Sequence, residues 1–305
     1  MSKVEGRNPG AILGEAAKPP FAVLPDPRSL FLLRSKRLES LAVDHPLQPY
    51  LRFLAVLRRA QHDIQPHLPA AALPSPDRIA LALQHGMPPI SRTGYEPDDL
   101  VDETITRLVA RLADADVPTQ TAAAVKVVSS ASRDERRAMA SGVLQDLAPA
   151  DDAIAQQALI AAGLQVHFTR LVGLLAAKDL KPIADAACPV CGGGAMTSAI
   201  VGWLKVHNTR FCTCSLCATT WNVLRVKCVL CGSTDTLSYR GIDDKPDTIK
   251  AETCAKCRGY VKVLYRVNDP ALEPLADDVA TLGLDIMLAE DGWKRGTQNP
   301  FLTGY

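Results

Sequence analysis

Nine cysteines stand in the 305-residue chain, and all of them follow residue 187: Cys188, Cys191, Cys212, Cys214, Cys217, Cys228, Cys231, Cys254 and Cys257. Eight of them form four C-x-x-C pairs. Such a pair closes a tight knuckle whose two thiolates point the same way. Two knuckles together make a tetrahedral all-sulfur site, suited to Zn2+ or to a single rubredoxin-type iron. In a chain without a secretory signal these pairs read as metal ligands before they read as disulfides. The opening residues, MSKVEGRNPGAILGEAAKP, hold no apolar h-region, which predicts a cytoplasmic protein.

The spacing says which cysteines belong together. Cys188, Cys191, Cys214 and Cys217 recur 40 residues later as Cys228, Cys231, Cys254 and Cys257. CPVCGG matches CVLCGS, and Val223-Leu224 matches Val263-Leu264, so the segment is a tandem duplication. The repeat predicts two four-cysteine sites, one from each set of four. A crossed arrangement, joining Cys214 and Cys217 to Cys228 and Cys231, would also close an all-sulfur site, but the repeat argues against it. Gly192 and Gly232 follow the first knuckle of each unit, where a positive φ is cheap only for glycine. The second knuckles, CSLCA and CAKCR, carry no glycine there. Cys212 has Glu252 at its repeat position and is read as a spare thiol beside the first site. His207 has no histidine at position 247 and is read as a surface residue.

The knuckles need strands to hold them. Trp221–Lys227 and Val261–Val267 are rich in β-branched and aromatic residues, and each follows a second knuckle, as in a small ribbon. The region before 184 is helical by its start signals and apolar stripes. Asp26-Pro27 opens a segment carrying Leu30, Leu33, Leu38 and Leu41, and Leu47, Leu51, Leu54 and Leu57 form the next stripe. A proline-rich stretch holds one short helix around Arg78–His85. Asp98-Asp99 starts a helix with Val101, Ile105, Leu108 and Leu112, and further helices are expected near 119–130, 134–147 and 151–178. After Asp269-Pro270 one more helix is expected, with Leu275, Val279, Leu282, Leu284 and Met287 on its apolar side.

The fold class is therefore α+β. An all-helical N-terminal domain (1–184) precedes two tandem rubredoxin-like or zinc-ribbon-like four-cysteine β modules (185–226 and 227–270), and a C-terminal helix and tail (271–305) close the chain.

Composition removes several functions. Hydrophobic residues are 47% and charged residues 22%, ordinary for a globular protein, and the formal net charge of +1 provides no field to attract nucleic acid or an anionic membrane. The least charged stretch, 153–169, is too short and too polar to span a bilayer, so no membrane insertion is expected. There is no phosphate-binding G-x-x-x-x-G-K-[ST], no dinucleotide G-x-G-x-x-G after a strand, no H-E-x-x-H and no G-x-S-x-G. Ser91, His85 and Asp98 are near in sequence, but nothing makes them a triad. No catalytic residue is assigned.

At this point the chain resembles the formate dehydrogenase accessory protein FdhE family. The resemblance rests on CPVCGG at 188–193, RFCTCSLC at 210–217, W-x-V-x-R-V-K-C at 221–228, and A-E-T-C-A-K-C at 251–257 followed by Tyr260-Val261-Lys262. A-D-D-V-A-T-L-G-L-D at 276–285 and N-P-F-L at 299–302 extend it, and ALQHGMPP at 82–89 adds a looser match. The resemblance implies a cytoplasmic accessory factor, not an enzyme. It would bind the molybdenum- or tungsten-carrying catalytic subunit of respiratory formate dehydrogenase and make that enzyme active before export. It also implies bound iron at the eight paired cysteines, with zinc as an alternative occupant. Cys212 departs from the pattern, where an apolar residue is expected. A homodimer is compatible with the sequence.

Two other readings are weaker. A nucleic-acid-binding tandem zinc ribbon would need a basic surface, yet residues 185–270 carry only net +4 with no dense Lys/Arg run. A thiol oxidoreductase places its dithiol at a helix N-terminus, not in a 40-residue ribbon repeat.

Overall fold

The computed structural model describes residues 18–184, 186–203, 206–242 and 247–304. The reading of residues 1–17 as lacking an h-region lies outside the described residues.

A two-residue strand, β1 (Ala22–Val23), precedes the helices. Helix α1 (Pro27–Leu41) starts where the Asp26 carboxylate accepts from the Arg28 amide, with Pro27 at the first position, where its missing N–H costs nothing. Helices α2 (Gln48–Ile64) and α3 (Pro76–Gln84) follow. Asp98 caps α4 (Asp99–Ala113), accepting from the amides of Leu100 and Val101. After α5 (Thr119–Ser130), Ser132 and Glu135 form a capping box at the start of α6 (Arg133–Leu144). The last of this set, α7 (Ile154–Val172), is buried almost all round and packs against α4, α5 and α6. A helix apolar on every side has to be the centre of its domain.

Two expected helices are trimmed and one stripe is rotated. The 134–147 and 151–178 segments end at Leu144 and Val172, and 151–153 is a separate turn of 3-10 helix. Helix α1 buries Phe31, Arg34, Ser35 and Leu38, while Leu33 is exposed. The inward face is set by polar anchors as well as leucines: Arg34 pairs with Glu273 at 2.9 Å and Ser35 Oγ donates to the Ala55 carbonyl.

Beyond residue 186 the chain builds one continuous sheet from β2 (Ala195–Trp203), β3 (Val206–Cys214), β4 (Thr220–Val223), β5 (Leu237–Arg240), β6 (Ile249–Cys254) and β7 (Gly259–Tyr265). The order is β1-β4-β3-β2-β7-β6-β5. Each half of the repeat is a three-stranded antiparallel meander, and the halves join where β2 lies parallel to β7, Thr197 opposite Lys262 and Ile200 opposite Tyr265. The expected strand 221–227 stops at Val223. Leu224 and Val226 are left exposed because the chain turns away there to start the third knuckle. The expected strand 261–267 sits two residues earlier.

The expected single C-terminal helix is two, α8 (Ala276–Ala280) and α9 (Leu282–Glu290), followed by β8 (Lys294–Arg295) beside β7. Side-chain contacts gather at the break. Lys262 Nζ, fully buried on β7, takes the carbonyls of Asp278 and Thr281, and the Thr281 hydroxyl takes that of Asp277. The tail packs on both neighbours. Arg37 clamps Asp277 on the helical side, and Lys262 and Arg295 hold Asp278 and Asp285 on the sheet side. Among the described residues, no helix is long and apolar enough to cross a membrane.

Candidate metal centres

The two sets of cysteines meet as the repeat requires. The sulfurs of Cys188, Cys191, Cys214 and Cys217 lie within 4.8 Å of one another, and so do those of Cys228, Cys231, Cys254 and Cys257. The crossed arrangement does not occur. We call these centre 1 and centre 2. Cys188 and Cys217 are 3.6 Å apart and Cys191 and Cys214 3.4 Å; in centre 2 the corresponding distances are 4.0 and 3.6 Å. A tetrahedral ion with bonds of about 2.3 Å to sulfur needs S–S edges of roughly 3.8 Å, so both clusters are the right size to hold one metal ion each.

The knuckles are built alike. Gly192 N donates to Cys188 O and Gly232 N to Cys228 O, both at 2.9 Å, and both glycines have φ of +76°. In the second knuckles the left-handed position falls to Ala218 (φ 59°) and Arg258 (φ 57°), a conformation that costs a side-chain-bearing residue about 1–2 kcal/mol. That cost is tolerated because the turn must bring Cys217 and Cys257 back toward their partners.

The donor chemistry also fits a cation. Burial pushes the Cys188 thiol well above its ordinary range. Burial acts on Cys214 in the same sense, but hydrogen bonds from the other three cysteines outweigh it and hold Cys214 low. At the repeat position, burial is again overcome: the Thr236 hydroxyl, 3.2 Å away, and the knuckle amides bring Cys254 down to about 6. Four sulfurs so close cannot all ionise against their mutual repulsion unless a cation sits among them.

The surroundings of the two centres differ. All four cysteines of centre 1 belong to the main hydrophobic core, together with helical residues such as Ile105 and Leu164. The segment after α3 docks on the first knuckle: Ile90 N donates to Val190 O, and Arg92 N to Cys191 O at 2.9 Å. The buried Arg92 side chain then reaches the end of α6, donating to Leu144 O and Asp146 Oδ1. On the other side Gln165 of α7 donates to Ser215 O, between Cys214 and Leu216, and accepts from the buried Arg58. In centre 2, Cys228 and Cys254 are buried but Cys231 and Cys257 are exposed. The sequence reading assigned no role to Arg92 or Gln165. Their link to the cysteines runs through backbone carbonyls, which leave no mark on side-chain spacing.

Cys212 lies outside both clusters, fully buried on β3 opposite Ser198 and Trp221. Burial pushes its thiol up to about 12, and it behaves there as a small apolar residue. His207 is exposed and in neither cluster. Ser91, His85 and Asp98 form no triad: His85 is exposed, Ser91 bonds Thr93 and Asp98 caps α4.

Comparison with known proteins covers nearly the whole chain. Family models match in consecutive stretches: FdhE N-terminal at 19–185, FdhE central domain at 187–225 and FdhE C-terminal domain at 226–302. A Protein FdhE homolog of Stutzerimonas stutzeri is 39% identical over 303 residues, covering 96% of each chain, and one of Rhizobium meliloti is 36% identical over 299 residues, covering 97% of each. The crystal structure of the FdhE protein from Pseudomonas aeruginosa superposes with a TM-score of 0.84 at 32% identity, covering 93% of this chain and 99% of that one. The chain belongs to the FdhE family.

Proposed function

We propose that this protein is an accessory factor for the maturation of formate dehydrogenase, acting in the cytoplasm by binding that enzyme's catalytic subunit rather than by turning over a substrate of its own. The observation that carries the reading is the full-length kinship with FdhE proteins, spanning the helical domain, both cysteine modules and the tail. In this reading the functional units are 1–184, 185–226, 227–270 and 271–305.

Cys188, Cys191, Cys214 and Cys217 hold one ion and Cys228, Cys231, Cys254 and Cys257 the other. We assign iron to both, with zinc as the substitute that an all-sulfur set also accepts. The ions supply folding energy to a region whose knuckles have little core of their own, and in the iron form they add a one-electron couple. The tail, clamped to both the helices and the sheet, keeps the two parts in one fixed arrangement and so presents a client with one rigid surface.

The test is gentle anaerobic purification from the native host, with mass identification of what accompanies the protein and metal analysis of the same sample. Near-stoichiometric formate dehydrogenase catalytic subunit, lost when this chain is truncated to 1–184, is the expected result. Nucleic acid that is stripped off steeply with salt would replace this reading with a zinc-ribbon one.

A further inference from the structure

The duplication supplies an internal comparison that a single metal site lacks. The two centres share their spacing, knuckle hydrogen bonds and glycine conformations, so a difference in behaviour must come from what covers them. Cys191 and Cys217 in centre 1 occupy the repeat positions of Cys231 and Cys257 in centre 2. The first two are fully buried and the second two are exposed.

The cover on centre 1 is specific. Pro88 comes within 3.4 Å of where a Cβ on Gly192 would stand, the Arg92 backbone N–H donates to the Cys191 carbonyl, and the Gln165 side chain donates to the Ser215 carbonyl. A Cβ placed on Gly193 would lie 3.2 and 3.3 Å from the sulfurs of Cys214 and Cys191 and 3.7 Å from Arg92 Cδ. Gly193 thus has the Arg92 stem and the sulfurs of Cys191 and Cys214 all beside it. The cleft of about 500 Å³ next to centre 1 is lined by Gly194, Ser215 and Leu216 and by none of the four cysteines. A cleft of about 450 Å³ between Phe21, Trp221 and Lys227 reaches Cys228 itself.

We propose that the two centres are divided by this cover: centre 2 exchanges its ion with soft thiolate or chelating donors in solution, and centre 1 is locked by the helical domain through Arg92. The proposal rests on the reading that both clusters hold metal. Exchange at a tetrahedral site requires an entering donor to reach the ion along an exposed sulfur edge. Cys231 and Cys257 provide that edge. As the donor binds, a displaced cysteine sulfur takes a proton from solvent, and the ion leaves with its charge unchanged on the entering ligand. At centre 1 the same step requires local opening first, which breaks the bonds from Ile90 and Arg92 to the knuckle.

The experiment uses the full chain loaded with Zn2+ at two ions per chain, mixed with excess 4-(2-pyridylazo)resorcinol. Two phases of one zinc each are expected, the second slower by about tenfold or more because it needs local opening. N-ethylmaleimide added after the first phase is expected to modify Cys228, Cys231, Cys254 and Cys257 and to spare Cys188, Cys191, Cys214 and Cys217 in a peptide mass map. Arg92→Ala, which keeps the amide bond to Cys191 but cuts the side-chain tether to Leu144 and Asp146, is expected to accelerate only the slow phase. Should that variant fail to fold, Cys231→Ser with Cys257→Ser decides, and is expected to remove only the fast phase. Release of both ions in one phase, first-phase labels on the centre 1 cysteines, a slow phase unmoved in folded Arg92→Ala, or a fast phase that survives the double serine variant would each overturn the proposal. A chain that binds fewer than two zinc ions would overturn the metal reading itself, and this inference with it.

Discussion

Arg210 on β3 and Glu252 on β6 form a two-pronged ion pair, Nη1 to Oε2 and Nη2 to Oε1 both at 2.9 Å, with both side chains almost fully buried. It spans the seam between the two halves of the sheet. Arg210 also donates to Ser198 Oγ on β2 and to the Lys227 carbonyl, and Tyr239 donates to Glu252. Burial alone would lower the Arg210 pKa, but the Glu252 carboxylate raises it above its ordinary value. Glu252 stands at the repeat position of Cys212, so the duplication is broken at the residue that ties one module to the other.

Removing one partner leaves a charge buried without compensation. Glu252→Gln is expected to cost about 3–5 kcal/mol in chemical unfolding of the metal-loaded protein. Arg210→Met combined with Glu252→Leu is expected to recover much of that loss, because the desolvation penalty disappears with both charges. A single variant as stable as the parent would mean that water reaches the seam.

Cysteine replacements separate ligands from bystanders. Cys188→Ser is expected to lower bound metal from two ions per chain to one and to loosen the docking of the segment around Ile90. Cys212→Val is expected to leave both ions in place, since Cys212 is fully buried and belongs to neither cluster. Metal analysis after desalting reads both. Loss of an ion from Cys212→Val would make that thiol a ligand.

His167 on α7 sets a pH dependence. Its Nε2 lies 2.5 Å from the Tyr95 hydroxyl, and burial pushes its pKa down to about 4, with Asp98 opposing and Arg170 assisting. The folded state holds the neutral ring while the unfolded chain protonates near 6.5. This stability is therefore complete above about pH 6.5 and is lost as the pH falls toward 4. By about pH 5 the loss is roughly 2 kcal/mol. Unfolding curves of the parent and His167→Gln at about pH 7.5 and pH 5 check it: the stability gap between them is expected to change by that amount, and a pH-independent gap would show that the ring is solvated.

Gly163 on α7 is a packing position. A Cβ there would stand 2.7 Å from Ile105 Cγ1 and 3.4 Å from Ile105 Cα on α4. Gly163→Ala is expected to destabilise by about 1–2 kcal/mol in thermal unfolding, the crowding outweighing alanine's better helix propensity. A rise in Tm would mean that α4 and α7 separate freely.

The eight cysteines, their division into two sets of four, the glycines after the first knuckles and most helix starts were legible in the sequence. Each rests on short-range chemistry: ligand spacing, a φ only glycine takes cheaply, a carboxylate capping its own helix. An exact 40-residue repeat also tells which knuckles share a fold without any knowledge of the rest of the chain.

The tertiary structure decided what joins these parts. The parallel pairing of β2 with β7, the Arg210–Glu252 seam and the Lys262 contacts at the junction of α8 and α9 link residues apart in sequence. So does the burial of one centre and the exposure of the other. Two halves with the same ligand pattern carry no local sign of which will lie under a helical domain. That depends on the surface each presents once the sheet has closed, a property of packing rather than of spacing.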